Sequence, residues 1–180
     1  MDAYRDSSKT IDSRVQDLLA RMNLEEKLAQ IVNVIAPIFT RQSGLVLQTI
    51  FYPFELYSRT CGKYSLDLWY DGDTFTGGEY TGVRTLDVSA TLDEARKQMV
   101  LYVVNRSQTE EVETVIQLTA GDFKDAHEVY TINGQDIKAE NTFESPHEVT
   151  TRESTLIARG RSLNYTFEPH SVTAIIDDIY

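Results

Sequence analysis

The sequence has 180 residues, 41% of them hydrophobic and 25% charged, enough for one domain with an appendage around a sizeable buried core. Its formal net charge of -11 excludes a sequence-independent grip on phosphate backbones, so nucleic acid is not expected as a partner. No apolar run reaches the roughly 18 residues of a membrane span, and the start MDAYRDSSK lacks the apolar stretch of a signal peptide, so the chain is expected to be cytoplasmic, with no membrane partner.

In chain order, the first pattern is helical. Val15, Leu18, Leu19 and Met22 recur at spacings of three and four, the stripe of an amphipathic helix. Asn23 followed by Glu26 reads as a capping box that restarts the helix after Met22. The stripe continues through Leu24, Leu28 and Ile31 into IVNVIAPIF, which periodicity alone leaves open between a buried strand and a helix end, and which Pro37 limits. YRD followed by RVQDLLARMNLEEKLAQ, about residues 4–30, resembles the N-terminal signature of glycoside hydrolase family 3. In that family the segment is structural, so the resemblance implies no catalytic residue here. A generic two-helix amphipathic segment is the alternative.

QIVNVIAPIFT and GLVLQTIFYPFELYSRTCG come next, and later LDLWYDG, YTGVRTLDVSATLDE, LYVVNRS, DIKAENTFESPHEVT and FEPHSVTAII. Together these runs resemble, in order, the C-terminal part of glycoside hydrolase family 51, the α-L-arabinofuranosidases. The resemblance implies the last strand and helix of a (β/α)₈ barrel in residues 30–61 and a C-terminal β-sandwich in residues 62–180, behind a helical leader in residues 1–29.

The strand pattern agrees with a sandwich. Tyr64, Leu66, Leu68 and Tyr70 alternate with Ser65, Asp67 and Trp69, and Asp71-Gly72 and Gly77-Gly78 mark turns. Residues 86–105 read as a hairpin: Leu86, Val88 and Ala90 alternate with Asp87, Ser89 and Thr91, and residues 93–97 break the run. In the return strand Met99, Leu101 and Val103 share one face while Val100, Tyr102 and Val104 share the other, which predicts a central strand covered on both sides. Residues 112–118, 128–132, 163–167 and 172–176 complete the set, with Asn133-Gly134 as a tight-turn signal. The predicted fold is mainly β, an antiparallel, jelly-roll-like β-sandwich preceded by an α-helical N-terminal segment.

Retaining glycosidases need two carboxyl groups about 5 Å apart. The family 51 resemblance places these in an Asn-Glu pair and a Glu-Trp pair, and neither dipeptide occurs in this sequence, so no catalytic residue is assigned. The clusters Asp93-Glu94, Glu110-Glu111 with Glu113, and Asp177-Asp178 read as solvated surface charge. Gln30 aligns with a substrate-contacting glutamine of the family and is the one active-site remnant the resemblance implies. Trp69 and Tyr70, near Phe75 and Tyr80, are candidates for stacking on a sugar, with core packing as the alternative. His127, His147 and His170 lack zinc-motif spacing, and Cys61 is alone, so neither a metal nor a cofactor nor a disulfide is expected.

The reading is therefore an accessory sandwich of an α-L-arabinofuranosidase-like enzyme, truncated or chimeric, with an arabinose-containing polysaccharide as partner. A free-standing carbohydrate-binding or protein-interaction module is the alternative. Residues 31–57 should expose apolar surface and support a homo-oligomer through Ile35, Ile38, Phe39, Phe51 and Phe54.

Overall fold

The computed structural model describes Ser8, Thr10, Ser13, residues 36–42 and residues 44–179. They belong to two compact units, Met1–Ala36 and Pro37–Tyr180. In the first, the Thr10 hydroxyl accepts from the Ser13 backbone N–H at 3.3 Å. The predicted helical stripe, its capping box, Gln30 and Ile35 lie outside the described residues.

The second unit opens with a hairpin of β1 (Ile38–Arg41) and β2 (Gly44–Leu47), antiparallel with Ile38 opposite Leu47. After Pro37, then, IVNVIAPIF ends in a strand. Helix α1 (Phe51–Thr60) follows. Pro53 sits in its first turn, where a missing N–H costs nothing, and Arg59 lies in the last turn, where a cation suits the helix dipole. Leu56 and Thr60, one turn apart, form the buried face, while Glu55 and Arg59 pair at 3.3 Å on the outside.

The remaining elements are strands: β3 (Tyr64–Ser65), β4 (Thr74–Gly77), β5 (Tyr80–Arg84), β6 (Leu86–Asp93), β7 (Gln98–Asn105), β8 (Val112–Gln117), β9 (Ala126–Asn133), β10 (Thr150–Ile157), β11 (Ser162–Phe167) and β12 (Val172–Asp178). Six of them form one antiparallel sheet in the order β10-β9-β12-β7-β6-β3. β8 and β11 pair separately, with Val112 opposite Phe167 and Gln117 opposite Ser162. β4 and β5 make a hairpin whose turn carries Gly78 at a φ of 60°.

The second unit is a β-sandwich because the chain changes layer four times, from β7 to β8, back to β9, from β10 to β11, and back to β12. Leu86, Val103, Val129 and Ile175 on one face of the large sheet pack with Phe167, Ile116 and Val112 of the small one. On the other face Val100, Tyr102, Ile132, Ala174 and Ile176 pack against Leu56, Tyr52 and Tyr57 of α1 and against Val149. β7 is thus central and apolar on both sides, as its sequence requires.

Four expectations need correction. The alternation at residues 64–70 yields only the two-residue β3, because Leu66 bonds to Ala90 and the chain then leaves the sheet, with Leu68 and Trp69 exposed. Asn133-Gly134 does not close a two-residue hairpin: β9 and β10 pair with Asn133 opposite Thr150 across a connection of residues 134–149. Gly134 is needed there for space, since a Cβ would come within 2.7 Å of the Ala139 side chain and 2.9 Å of Val149. Asp93 is buried rather than solvated, accepting from the N–H groups of Ala95 (3.0 Å) and Arg96 (3.1 Å) to shape the β6–β7 turn. Asp177 is buried too, near the end of β12.

Candidate functional site

A cleft of about 990 Å³ is lined by residues 70–73 and 75–77, residues 106–108 and the segment 110–115 that leads into β8. Tyr70 and Leu86 line it, and both belong to the inter-sheet core, so the cleft reaches the edge of that core. Phe75 and Val115 line it as well and are exposed. Five carboxylates border it: Asp71, Asp73, Glu110, Glu111 and Glu113. Among the described residues that line it, the one cationic side chain is Arg106, which is held by the Asp87 carboxylate and donates to the Arg84 carbonyl at 3.4 Å.

Asn105 fixes the entry to this region. Buried at the end of β7, its amide nitrogen donates to the carbonyls of Glu110 (3.0 Å), Phe167 (3.1 Å) and Glu168 (3.0 Å), and its oxygen accepts from the Ser107 N–H at 2.9 Å. One side chain therefore ties β7, the approach to β8 and the end of β11. Asn141 does the same on the opposite face, donating to Leu47 and Val149 carbonyls and accepting from the Val149 N–H, each at 2.8 Å. That binds the end of β2 to the long β9–β10 connection.

Of the proposed sugar-stacking pair, Trp69 is 83% exposed, while Tyr70 is half-buried. Arg84 lies over the Tyr70 ring at 5.6 Å, and the Tyr70 hydroxyl lies 2.3 Å from where a Cβ on Gly72 would be. Trp69 is the ring with a free face; Tyr70 is packed. Phe75 and Tyr80 are both exposed, the first on β4 and the second on β5. Gln30 is outside the described residues.

The buried titratable groups sit elsewhere. His127 Nδ1 lies 2.9 Å from Asp177 Oδ1, both side chains sealed in the sandwich, but the two atoms are not aligned as a hydrogen bond. Burial pushes the Asp177 carboxyl up, against the pull of His127 and of the Lys124 backbone. Phe123 meets the His127 ring edge-on at 5.6 Å. At Glu168, burial also works toward the neutral form, yet the Asn133 hydrogen bond (2.7 Å) and the Arg152 partner outweigh it and hold the carboxyl below the usual range. Both groups read as structural: one is sealed in the core, and the other joins β9, β10 and the turn before β12. Among the described residues no group of three or more His, Cys, Asp or Glu side chains is placed to hold a metal ion. Nor is any described helix long and apolar enough to cross a membrane.

Sequence reading missed the cleft and the two asparagines. Asn105 had a local signal, as the polar residue that closes an apolar strand. Asn141 and the Asp177–His127 pair had none, because Leu47, which Asn141 binds, and His127, which lies beside Asp177, are distant in the chain from them.

Residues 26–171 match the family described as α-L-arabinofuranosidase C-terminal domain. The probable α-L-arabinofuranosidase C of Aspergillus clavatus is 34% identical over 155 residues, which is 82% of this chain and 29% of that protein. The exo-α-(1→6)-L-arabinofuranosidase of Bifidobacterium longum is 35% identical over 153 residues, with the same coverage of 82% and 29%. The chain thus spans less than a third of the curated relatives it matches. Among solved structures, the thermostable GH51 α-L-arabinofuranosidase of Thermotoga petrophila shares the fold at a TM-score of 0.73 and 24% identity, over 91% of this chain and 37% of that one. The antiparallel sandwich, and a match that runs from residue 26 to residue 171, give one conclusion: this chain belongs to the α-L-arabinofuranosidase C-terminal domain family.

Proposed function

We propose that this chain serves as the accessory sandwich of a family 51-type α-L-arabinofuranosidase acting on arabinan or arabinoxylan, and that it performs no turnover by itself. The observation that carries this is the family match over residues 26–171 in a sequence that contains neither an Asn-Glu nor a Glu-Trp pair. Forming and hydrolysing a glycosyl-enzyme needs a nucleophilic carboxylate and a proton donor held on opposite sides of one anomeric carbon. The carboxylates of the cleft line an open edge of the sandwich, and the sealed Asp177 has no access to a substrate. The test is release of arabinose from a chromogenic α-L-arabinofuranoside by the purified chain. None is expected, and turnover that survives repurification and is lost on changing a single carboxylate overturns the reading.

The exposure of Trp69 favours a second reading, a carbohydrate-binding module in which Trp69 receives a sugar ring. Saturable binding to arabinoxylan that Trp69→Ala abolishes supports it; binding that Trp69→Ala leaves intact removes it. We further propose the division into a family 3-like leader at 1–29, a barrel-derived segment at 30–61 that keeps Gln30, and the sandwich at 62–180. A cytoplasmic location is supported by the Streptomyces lividans relative, whose name describes it as intracellular.

A further inference from the structure

We propose that the free edge of β8 is a strand-accepting site for an extended polypeptide segment bearing lysine or arginine at alternate positions. Among the described residues β8 has one neighbour, β11, although the sheet across the core from it has six strands. The Leu118 N–H donates to the Arg161 carbonyl at 2.9 Å, and these two residues continue the register in which Gln117 faces Ser162. In an antiparallel ladder the residues that bond to a given neighbour alternate, so Thr114 and Ile116 spend their N–H and C=O groups on β11. Glu113, Val115 and Gln117 point theirs the other way, toward the side on which none of the described strands lies.

The cleft, about 990 Å³ in volume, is lined by Val112, Glu113, Thr114 and Val115 of β8 and by Phe75, Thr76 and Gly77 of β4. A strand laid there, about 4.8 Å from β8, has donors and acceptors waiting along its length. The pleat then fixes its side chains. Residues beside Val112, Thr114 and Ile116 share the core face and meet the Tyr70 and Leu86 side of the cleft, whereas residues beside Glu113 and Val115 face outward.

Charge selects the occupant. Among the described residues that border the cleft, five carboxylates stand against a single guanidinium that Asp87 already holds, so a cationic segment is drawn in. A second copy of a chain with net charge -11 is repelled by the same field. The inference stands on the sheet edge and the cleft, and does not depend on the arabinofuranosidase reading.

The experiment titrates the full ¹⁵N-labelled chain with the acetylated, amidated peptide Lys-Val-Lys-Thr-Lys-Val-Lys and with its Glu-for-Lys counterpart. The lysine peptide is expected to bind with one-to-one saturation and to slow hydrogen exchange at the Glu113, Val115 and Gln117 amides. The glutamate peptide is expected to bind at least tenfold more weakly, and Glu113→Lys is expected to narrow that gap. Methylating alternate backbone nitrogens of the lysine peptide keeps its charge and is expected to abolish binding, a control that leaves the protein untouched. Failure of the lysine peptide to protect these amides, or equal binding by the methylated peptide, overturns the proposal. Protection of the same amides by self-association alone, or by arabino-oligosaccharide in place of peptide, overturns it too.

Discussion

Tyr57 of α1 lies stacked on Tyr102 of β7, with ring centroids 4.2 Å apart and 18° between the planes. The Tyr102 hydroxyl also meets Thr60 Oγ1 at 2.7 Å, and Thr60 Oγ1 in turn reaches the Leu56 carbonyl at 2.7 Å. The helix is therefore a structural layer of the sandwich, covering the large sheet on the side that β8 and β11 leave bare. Leu56→Ala removes a fully buried side chain from this layer and should destabilise the chain by about 2–5 kcal/mol. Urea unfolding followed by tryptophan fluorescence and circular dichroism checks it. An unchanged midpoint would mean that α1 is dispensable to the fold.

Gly62 ends the turn out of α1 directly against β6. A Cβ there would lie 2.4 Å from both the carbonyl carbon and the oxygen of Leu92, while the Gly62 N–H donates to Thr91 Oγ1 at 3.0 Å. Backbone cannot yield as a flexible side chain can. Gly62→Ala should therefore cost at least about 2 kcal/mol, in the range of other overpacked sites, whereas Gly44→Ala, at a position with open space around it, should be close to neutral. Thermal melting of the two variants side by side tests the contrast.

Loss of the Asn105 amide takes a hydrogen-bond partner from the Glu110 and Phe167 carbonyls and from the Ser107 N–H, while the Glu168 carbonyl keeps the Ser171 hydroxyl at 2.7 Å. A buried unsatisfied group costs about 1–3 kcal/mol, so Asn105→Ala should destabilise by at least about 2 kcal/mol. Because the same amide holds the approach to β8, hydrogen exchange at residues 106–112 should rise more than exchange within β12. A uniform rise would show that the effect is global.

The two shifted carboxyls predict opposite pH trends. Asp177 binds its proton more tightly when folded, so its contribution is fully present below the unfolded value near 3.8 and is lost as pH rises through the higher folded value. Asp177→Asn should gain stability relative to the parent as pH rises from about 4 towards neutrality. Glu168 binds its proton less tightly when folded, so its contribution is present above the unfolded value near 4.5 and is lost as pH falls through the lower folded value. Glu168→Gln should thus lose most at neutral pH and converge on the parent in acid. Denaturant midpoints across pH 3 to 8 measure both, and parallel curves for parent and variants would refute the assignment.

Ile38, Phe39, Leu45 and Phe54 are exposed, Phe54 at 63%, in the first elements of the unit that begins at Pro37. Such apolar surface promotes association. If the proposed homo-oligomer uses it, Phe54→Asp should shift sedimentation toward the monomer without lowering the melting temperature. A parent chain that is already monomeric at high concentration would remove the proposal.

The sequence by itself determined the β6–β7 hairpin, β8, β11 and β12, because burial of one or both strand faces writes a period of two into the residues. It also carried the family, in ordered runs from Gln30 onward. β10 was not legible: TTRESTLI is an edge strand with mostly exposed side chains, and an edge imposes little pattern. α1 was implied by resemblance alone, since FYPFELYSRT is aromatic, carries a proline, and only its contact with Tyr102 shows which face is apolar.

Only the tertiary structure decided the fate of the polar residues. Asp177 reads as surface charge until β9 brings His127 beside it, and Asn105 reads as a strand end until β11 brings two carbonyls to its amide. The open edge of β8 is likewise invisible in VETVIQ, whose alternation states which side chains face the core and says nothing about which neighbour takes the backbone hydrogen bonds. Side-chain burial is recorded residue by residue along the chain. Hydrogen-bond partners are set by which strands meet, and that depends on the packing of the whole sandwich.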